Sequence, residues 1–146
     1  MAVSNIEQFD DITGKIFAEL YQSFPMPKTL MAESVVESAT CYHEQSQLEL
    51  PTKEAEFFIA TADWLMQAGY LTCITCPYTR IDKAVLTAKG LEVLKAVPVS
   101  VSSKSTIGEA LTTTAQEGGK EVARGLVAEA LGLGVKLLSP IIGLPS

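Results

Sequence analysis

The chain has 146 residues, 47% of them hydrophobic, which is enough for one cored domain and excludes a disordered or collagen-like composition. Three lysines face eleven acids over residues 1–69, a formal −8, whereas eight basic residues face six acids over 70–146, a formal +2. The net charge is −6, the acidic first half is a poor general attractant for nucleic acid, and the odd count of three cysteines excludes a closed disulfide framework and fits a reducing cytoplasm.

The N-terminal run MAVSNIEQFDD lacks a basic region followed by an apolar one, so a secretory signal is not expected there. Ser4 with Glu7 forms the pattern of a capping box. Phe9, Ile12, Ile16, Leu20 and Phe24 then recur at helical spacing, with Phe17 and Tyr21 widening the apolar face. Gly14 inside this helix costs roughly 1 kcal/mol relative to alanine, which points to a close packing contact. Pro25 and Pro27 stop the helix.

A second helix is expected over Leu30–Tyr42, capped by Thr29, with Met31, Val35, Ala39 and Tyr42 on one face. HEQSQLEL reads as a polar connection. Thr52 caps a third helix, with Glu54 and Glu56 in its first turn, running to about Ala68. Phe58, Ala62 and Leu65 form its central apolar line, flanked by Phe57, Trp64 and Ala68, and Gly69 suits a left-handed C-cap. YLTCIT and AVL are β-prone and separated by CPYTRID, the pattern of a hairpin. Thr87 caps a fourth helix, Ala88 to about Ala96, with Leu91 and Leu94 turned inward.

The segments ADWLMQAGYLTC and AVLTAKGLEVL resemble the third helix, wing strands and following helix of bacterial winged-helix regulators, with a Leu-Thr-x-x-Gly pattern at the last junction. This resemblance implies an α+β, mainly helical fold: a winged helix over 4–97 with a two-stranded wing. It also implies that the third helix and the wing, about Pro77–Lys83, face DNA. Lys53, Gln67, Arg80 and Lys83 are then the candidate DNA contacts. Base reading needs arginine, lysine, asparagine or glutamine, and phosphate contacts supply most of the affinity, yet TKEAEFFIATADWLMQAG carries a formal −2. The expected role is therefore a non-enzymatic protein-interaction or scaffolding module, with a DNA-binding transcriptional regulator as the alternative.

Cys41 and His43, with Cys73 and Cys76, have the residue types of a tetrahedral zinc site. A regular strand sends Cys73 and Cys76 to opposite faces, however, and apolar filling is the expected role. A thioredoxin-like reaction needs a cysteine at a helix N-terminus, whereas this pair follows a helix. LGLGVK and EGGKEV lack the spacing of a phosphate loop, and one histidine does not make a serine–histidine–acid group. No cofactor and no enzymatic activity are expected.

After a linker over 98–105, residues 106–146 form a hydrophobic helical segment, broken at Gly118-Gly119. GLVAEALGLGVKLLSPIIGL is apolar nearly all round, so it is expected to bury itself against the winged domain or a second copy. Val122, Leu126, Val127, Leu131, Leu133, Leu137 and Leu138 are the candidate assembly residues, giving a homodimer or higher oligomer. Peripheral membrane contact through 125–144, as a membrane-associated adapter, is a further alternative. Pro140 and the charges of Glu129 and Lys136 argue against a spanning helix.

Overall fold

Helix α1 (Asn5–Ser23) starts at the expected capping box: Glu7 N–H donates to Ser4 Oγ at 3.1 Å, and Ser4 N–H donates to Glu7 Oε1 at 3.3 Å. The structure, a computed structural model, describes residues 4–77, 79–98, 105–117 and 119–142, without the side chains of 116, 117 and 138–142. Ile12, Ile16, Phe17 and Leu20 are buried along α1. Gly14 is buried on another side of the helix, where an added Cβ would lie 3.4 Å from Val127. The close contact expected of this glycine is thus made with the C-terminal part of the chain.

The helix expected over Leu30–Tyr42 does not form. Lys28–Met31 is a strand, β1, and Ala32–Val35 is a single helical turn, α2. Thr40–His43 (β2) and Leu48–Pro51 (β3) are antiparallel strands, with Cys41 opposite Leu50 and His43 opposite Leu48. The physical reason is the sheet. Leu30 pairs with Ile81 and Met31 with Arg80, so the backbone groups that would open a helix are used in a ladder. The polar HEQSQ run then closes a hairpin, with Gln47 at φ 56°.

Helix α3 (Lys53–Gln67) begins where Thr52 Oγ1 accepts from Ala55 N–H at 3.2 Å and ends before Gly69, at φ 91°. Its inner line is Ala55, Phe58, Ala62 and Leu65. Strands β4 (Leu71–Cys76) and β5 (Arg80–Leu86) form a hairpin where one was expected, but β5 already begins at Arg80. Residues 80–82, expected in the connection, pair with β4 and β1 instead, and β1 makes a third strand in the order β1–β5–β4. Between Ile81 and Ala84, β5 carries one residue more than either neighbour. Strict alternation from buried Ile81 would turn Lys83 inward; the bulge leaves Lys83 exposed and returns Ala84 and Leu86 to the core. Lys83 adopts φ 52°, a left-handed conformation that costs a side chain energy. Lys83→Gly is therefore expected to stabilise the fold by about 0.5–1 kcal/mol in denaturant unfolding. A loss of stability would contradict the bulge.

Thr87 caps α4 (Ala88–Lys95) through Gly90 N–H at 3.0 Å and also donates to the Gly69 carbonyl. Lys89 Nζ donates to the Ala68 carbonyl at 2.8 Å and lies 4.4 Å over the Tyr70 ring. The end of α3 is thus held by the start of α4. Most of the linker expected over 98–105 lies outside the described residues.

Helix α5 (Ile107–Glu117) ends and α6 (Lys120–Ile142) begins on either side of the expected Gly118-Gly119 break, of which Gly118 lies outside the described residues. Ile107, Leu111, Leu126, Val127 and Ala130 join α1 and α4 in one core. Arg124 of α6 grips Asp11 of α1 with two hydrogen bonds, Nε–Oδ1 at 2.7 Å and Nη2–Oδ2 at 2.9 Å, and reaches Glu7 at 3.3 Å. Tyr70 donates to the Leu131 carbonyl at 3.3 Å. The result is a mixed α+β, mainly helical fold with two small antiparallel sheets. Among the described residues no helix is long and apolar enough to cross a membrane.

Candidate functional site

With Ala55, Phe58, Ala62 and Leu65 turned inward, α3 has a second line on its opposite side: Lys53, Phe57, Ala60, Trp64 and Gln67. Their spacing of four, three, four and three residues keeps them in one stripe along the helix. Trp64 is 51% exposed, Ala60 is exposed and Phe57 is half-buried. Phe9 of α1 packs edge-on against Trp64, with ring centroids 5.3 Å apart and planes at 89°. Ile6, 63% exposed, extends this apolar surface along α1. Together Ile6, Phe9, Phe57, Ala60 and Trp64 line a groove of about 370 Å³ between the two helices.

The other flank of the stripe is acidic. Glu56 and Asp63, with Lys53 at one end, line a cleft between α3 and the β4–β5 hairpin, with Thr75 and Pro77 on its far side. Neither carboxylate has an ion-pair partner among the described residues. The face therefore combines an aromatic strip with two carboxylates that make no ion pair among the described residues, in a cleft that also holds Lys53.

The four candidate DNA contacts are dispersed. Lys53 and Gln67 are exposed at opposite ends of the α3 stripe, about four turns of chain apart. Arg80 is committed within its own strand, with Nε 3.0 Å from Asp82 Oδ1. That hydrogen bond raises the Arg80 pKa and holds the Asp82 carboxyl below its ordinary range; the Cys76 thiol and Thr29 hydroxyl also donate to Asp82. Lys83 projects from the bulge. These residues do not form a single cationic surface.

The four metal candidates do not converge. Cys41 and His43 are exposed on the β2–β3 hairpin. Cys73 packs against the core from β4, while Cys76 faces Asp82 at 3.5 Å. All three cysteines are free, and among the described residues no three His, Cys, Asp or Glu side chains gather to hold an ion. Burial pushes the Cys73 thiol up to about 11, aided by the negative charge of Asp63. This is the opposite of an activated nucleophile. A thiol-reactive probe at neutral pH is expected to label Cys41 first and Cys73 last; mass spectrometry of the labelled peptides reads the order, and early labelling of Cys73 would contradict its placement.

The candidate assembly residues also divide. Leu126 and Val127 are 1% and 0% exposed within the chain's own core, and Leu131 and Leu133 are half-buried against it. Val122 and Leu137 are exposed, as is Val135, while the side chain of Leu138 lies outside those described. Sequence reasoning placed Phe57 and Trp64 beside the core line and passed over Ala60. The available signal was the width of apolar sequence on α3, which exceeds what one buried face can hold.

No protein-family model, curated protein or solved structure matches the chain.

Proposed function

We propose that the chain is a non-enzymatic winged-helix module that binds a protein partner through the outer face of α3. The order of α3, Gly69, the β4–β5 hairpin and Thr87-capped α4 supports the winged-helix reading. One departure is the single-turn α2, followed by the β2–β3 hairpin where a second full helix was expected.

The observation that carries the function is the Phe57–Ala60–Trp64 stripe. In the winged-helix family this face of the third helix meets DNA, and polar or cationic side chains do the reading. Here its centre is apolar and aromatic, its flank is acidic, and Arg80 is neutralised by Asp82. Half-exposed aromatic residues beside a groove are the usual anchors of a protein interface. Self-association through α6 belongs to the same proposal only through Val122, Val135 and Leu137, since Leu126 and Val127 are occupied inside the chain.

Selection of random displayed peptides on the immobilised full chain tests the reading. Enriched peptides are expected to lose binding on Trp64→Asp and to keep it on the double change Arg80→Ala and Lys83→Ala. Salt-sensitive DNA binding that disappears in the double variant, with no Trp64-dependent peptide recovered, would overturn it.

A further inference from the structure

The stripe on α3 has a register and a sign of charge, and together these describe its occupant. Phe57, Ala60 and Trp64 stand at three-and-four spacing, the pattern by which one helix receives another. Ala60 between two aromatic residues leaves a shallow seat where a partner's apolar side chain can settle. Phe9 and Ile6 of α1 wall this seat on one side. On the other side Glu56 and Asp63 lie seven residues apart, two helical turns, so both stand at the same flank of the seam.

We infer that this face takes an amphipathic helix of another protein, apolar at three-and-four spacing, with lysine or arginine two turns apart on the flank meeting Glu56 and Asp63. The inference rests on the protein-interaction reading above and specifies the chemistry of its partner. Charge complementarity decides among occupants. A second copy packed antiparallel on the same stripe would bring the acidic flanks of the two helices together, which is repulsive. Nucleic acid would meet the same two carboxylates and an aromatic strip where phosphate contacts are needed. A basic helix satisfies the apolar seat and both acids at once. Lys53 closes the N-terminal end of the acidic flank, so the partner's cations belong opposite the stretch from Glu56 in the first turn of α3 to Asp63 two turns on.

Trp64 is the chain's single tryptophan, so its emission reports this seam directly. Two tryptophan-free peptides of about fifteen residues, the length of α3, provide the probes. Both carry leucine at three-and-four spacing; one has lysine on the flanks and the other glutamate. The lysine peptide is expected to shift Trp64 emission to the blue, saturably, and to bind at least about fivefold more tightly than the glutamate peptide. The double change Glu56→Lys and Asp63→Lys is expected to reverse that preference. Glu56→Lys alone, at an exposed position, should narrow it in a chain whose fold circular dichroism verifies.

Equal affinity for the two peptides would overturn the basic-helix inference while leaving the apolar groove reading in place. Binding of neither peptide would also overturn it, and the unbiased peptide selection then judges the groove reading separately. A dimer in sedimentation that Trp64→Asp converts to monomer would assign the seam to a second copy and likewise overturn the inference.

Discussion

Leu126→Asp is expected to unfold the chain or strip α5 and α6 from the rest of it, at a cost of about 4 kcal/mol or more. Leu126 is 1% exposed and sits in the core shared by α1, α4, α5 and α6. The substitution removes a buried apolar side chain and places a carboxylate where water is absent. Domains of ordinary size have a net stability of roughly 5–15 kcal/mol, so this one change removes a large part of it. The effect is expected at every protein concentration, because the burial is internal to one chain. Denaturant unfolding at several concentrations checks this. A stability loss that appears only on dilution would mean that Leu126 is buried between copies, as an assembly residue, and would contradict its place in the core. Ala128→Asp supplies the contrast: Ala128 is exposed on the same helix two residues away, and its substitution is expected to leave the melting curve nearly unchanged.

Gly90→Ala is expected to cost about 3 kcal/mol although it adds only one methyl group. Gly90 is the third residue of α4, where the helix passes directly over the backbone of Tyr70. An added Cβ would lie well inside van der Waals contact of the Tyr70 carbonyl oxygen, with Leu86 closing the other side at 3.3 Å. Neither neighbour yields easily. The Tyr70 carbonyl accepts from Thr87 N–H at 3.1 Å, and Leu86 is a buried residue at the end of β5. Relief requires α4 to lift away from the sheet, which also breaks the Thr87 and Lys89 hydrogen bonds to the end of α3. Thermal unfolding and amide exchange in α3 and α4 test the expectation. A variant that melts within a degree or two of the parent would show that the helix and sheet do not meet so closely. Gly125→Ala is the control, since nothing lies within 4 Å of its added Cβ.

Local signals in the chain read reliably wherever a short-range device sets the backbone. Ser4 with Glu7, Thr52, Gly69 and Thr87 each mark an element boundary that the structure reproduces. In each case a side chain or a glycine satisfies the backbone within a few residues, so the signal and its effect lie in the same window. The apolar stripe of α1 and the central line of α3 are equally legible, because a helix buries one face at a period sequence displays.

Residues 28–51 were not legible. KTLMAESVVESATCYHEQSQLELP carries apolar positions at three-and-four spacing, and it lacks any local device that would favour strand over helix. What decides its first part is β5, some fifty residues downstream, whose free edge takes Lys28–Met31 as a third strand, while Thr40–His43 and Leu48–Pro51 pair only with each other. The same dependence explains Lys83: only the need to keep Ile81, Ala84 and Leu86 on one face accounts for a lysine at positive φ. For the candidate site, sequence supplied Phe57 and Trp64 as apolar residues on a helix, and no more. Which side of α3 the core takes depends on where α1, β4 and β5 pack, so the exposure of the aromatic stripe is a tertiary outcome.

The C-terminal helices show the division most plainly. Their helical character, their break at the glycines and their need for burial all follow from composition and spacing. Composition is indifferent to which surface receives an apolar helix. That choice falls to shape and charge: Gly14 opens a place on α1 for Val127, and Glu7 with Asp11 holds Arg124 beside it. The chain alone therefore determined that the capped helices and the β4–β5 hairpin would form. Tertiary packing alone decided that α6 joins the core while Ala60 and Trp64 stay outside it and Phe57 sits at its edge, because burial is allotted among competing apolar faces only when they meet.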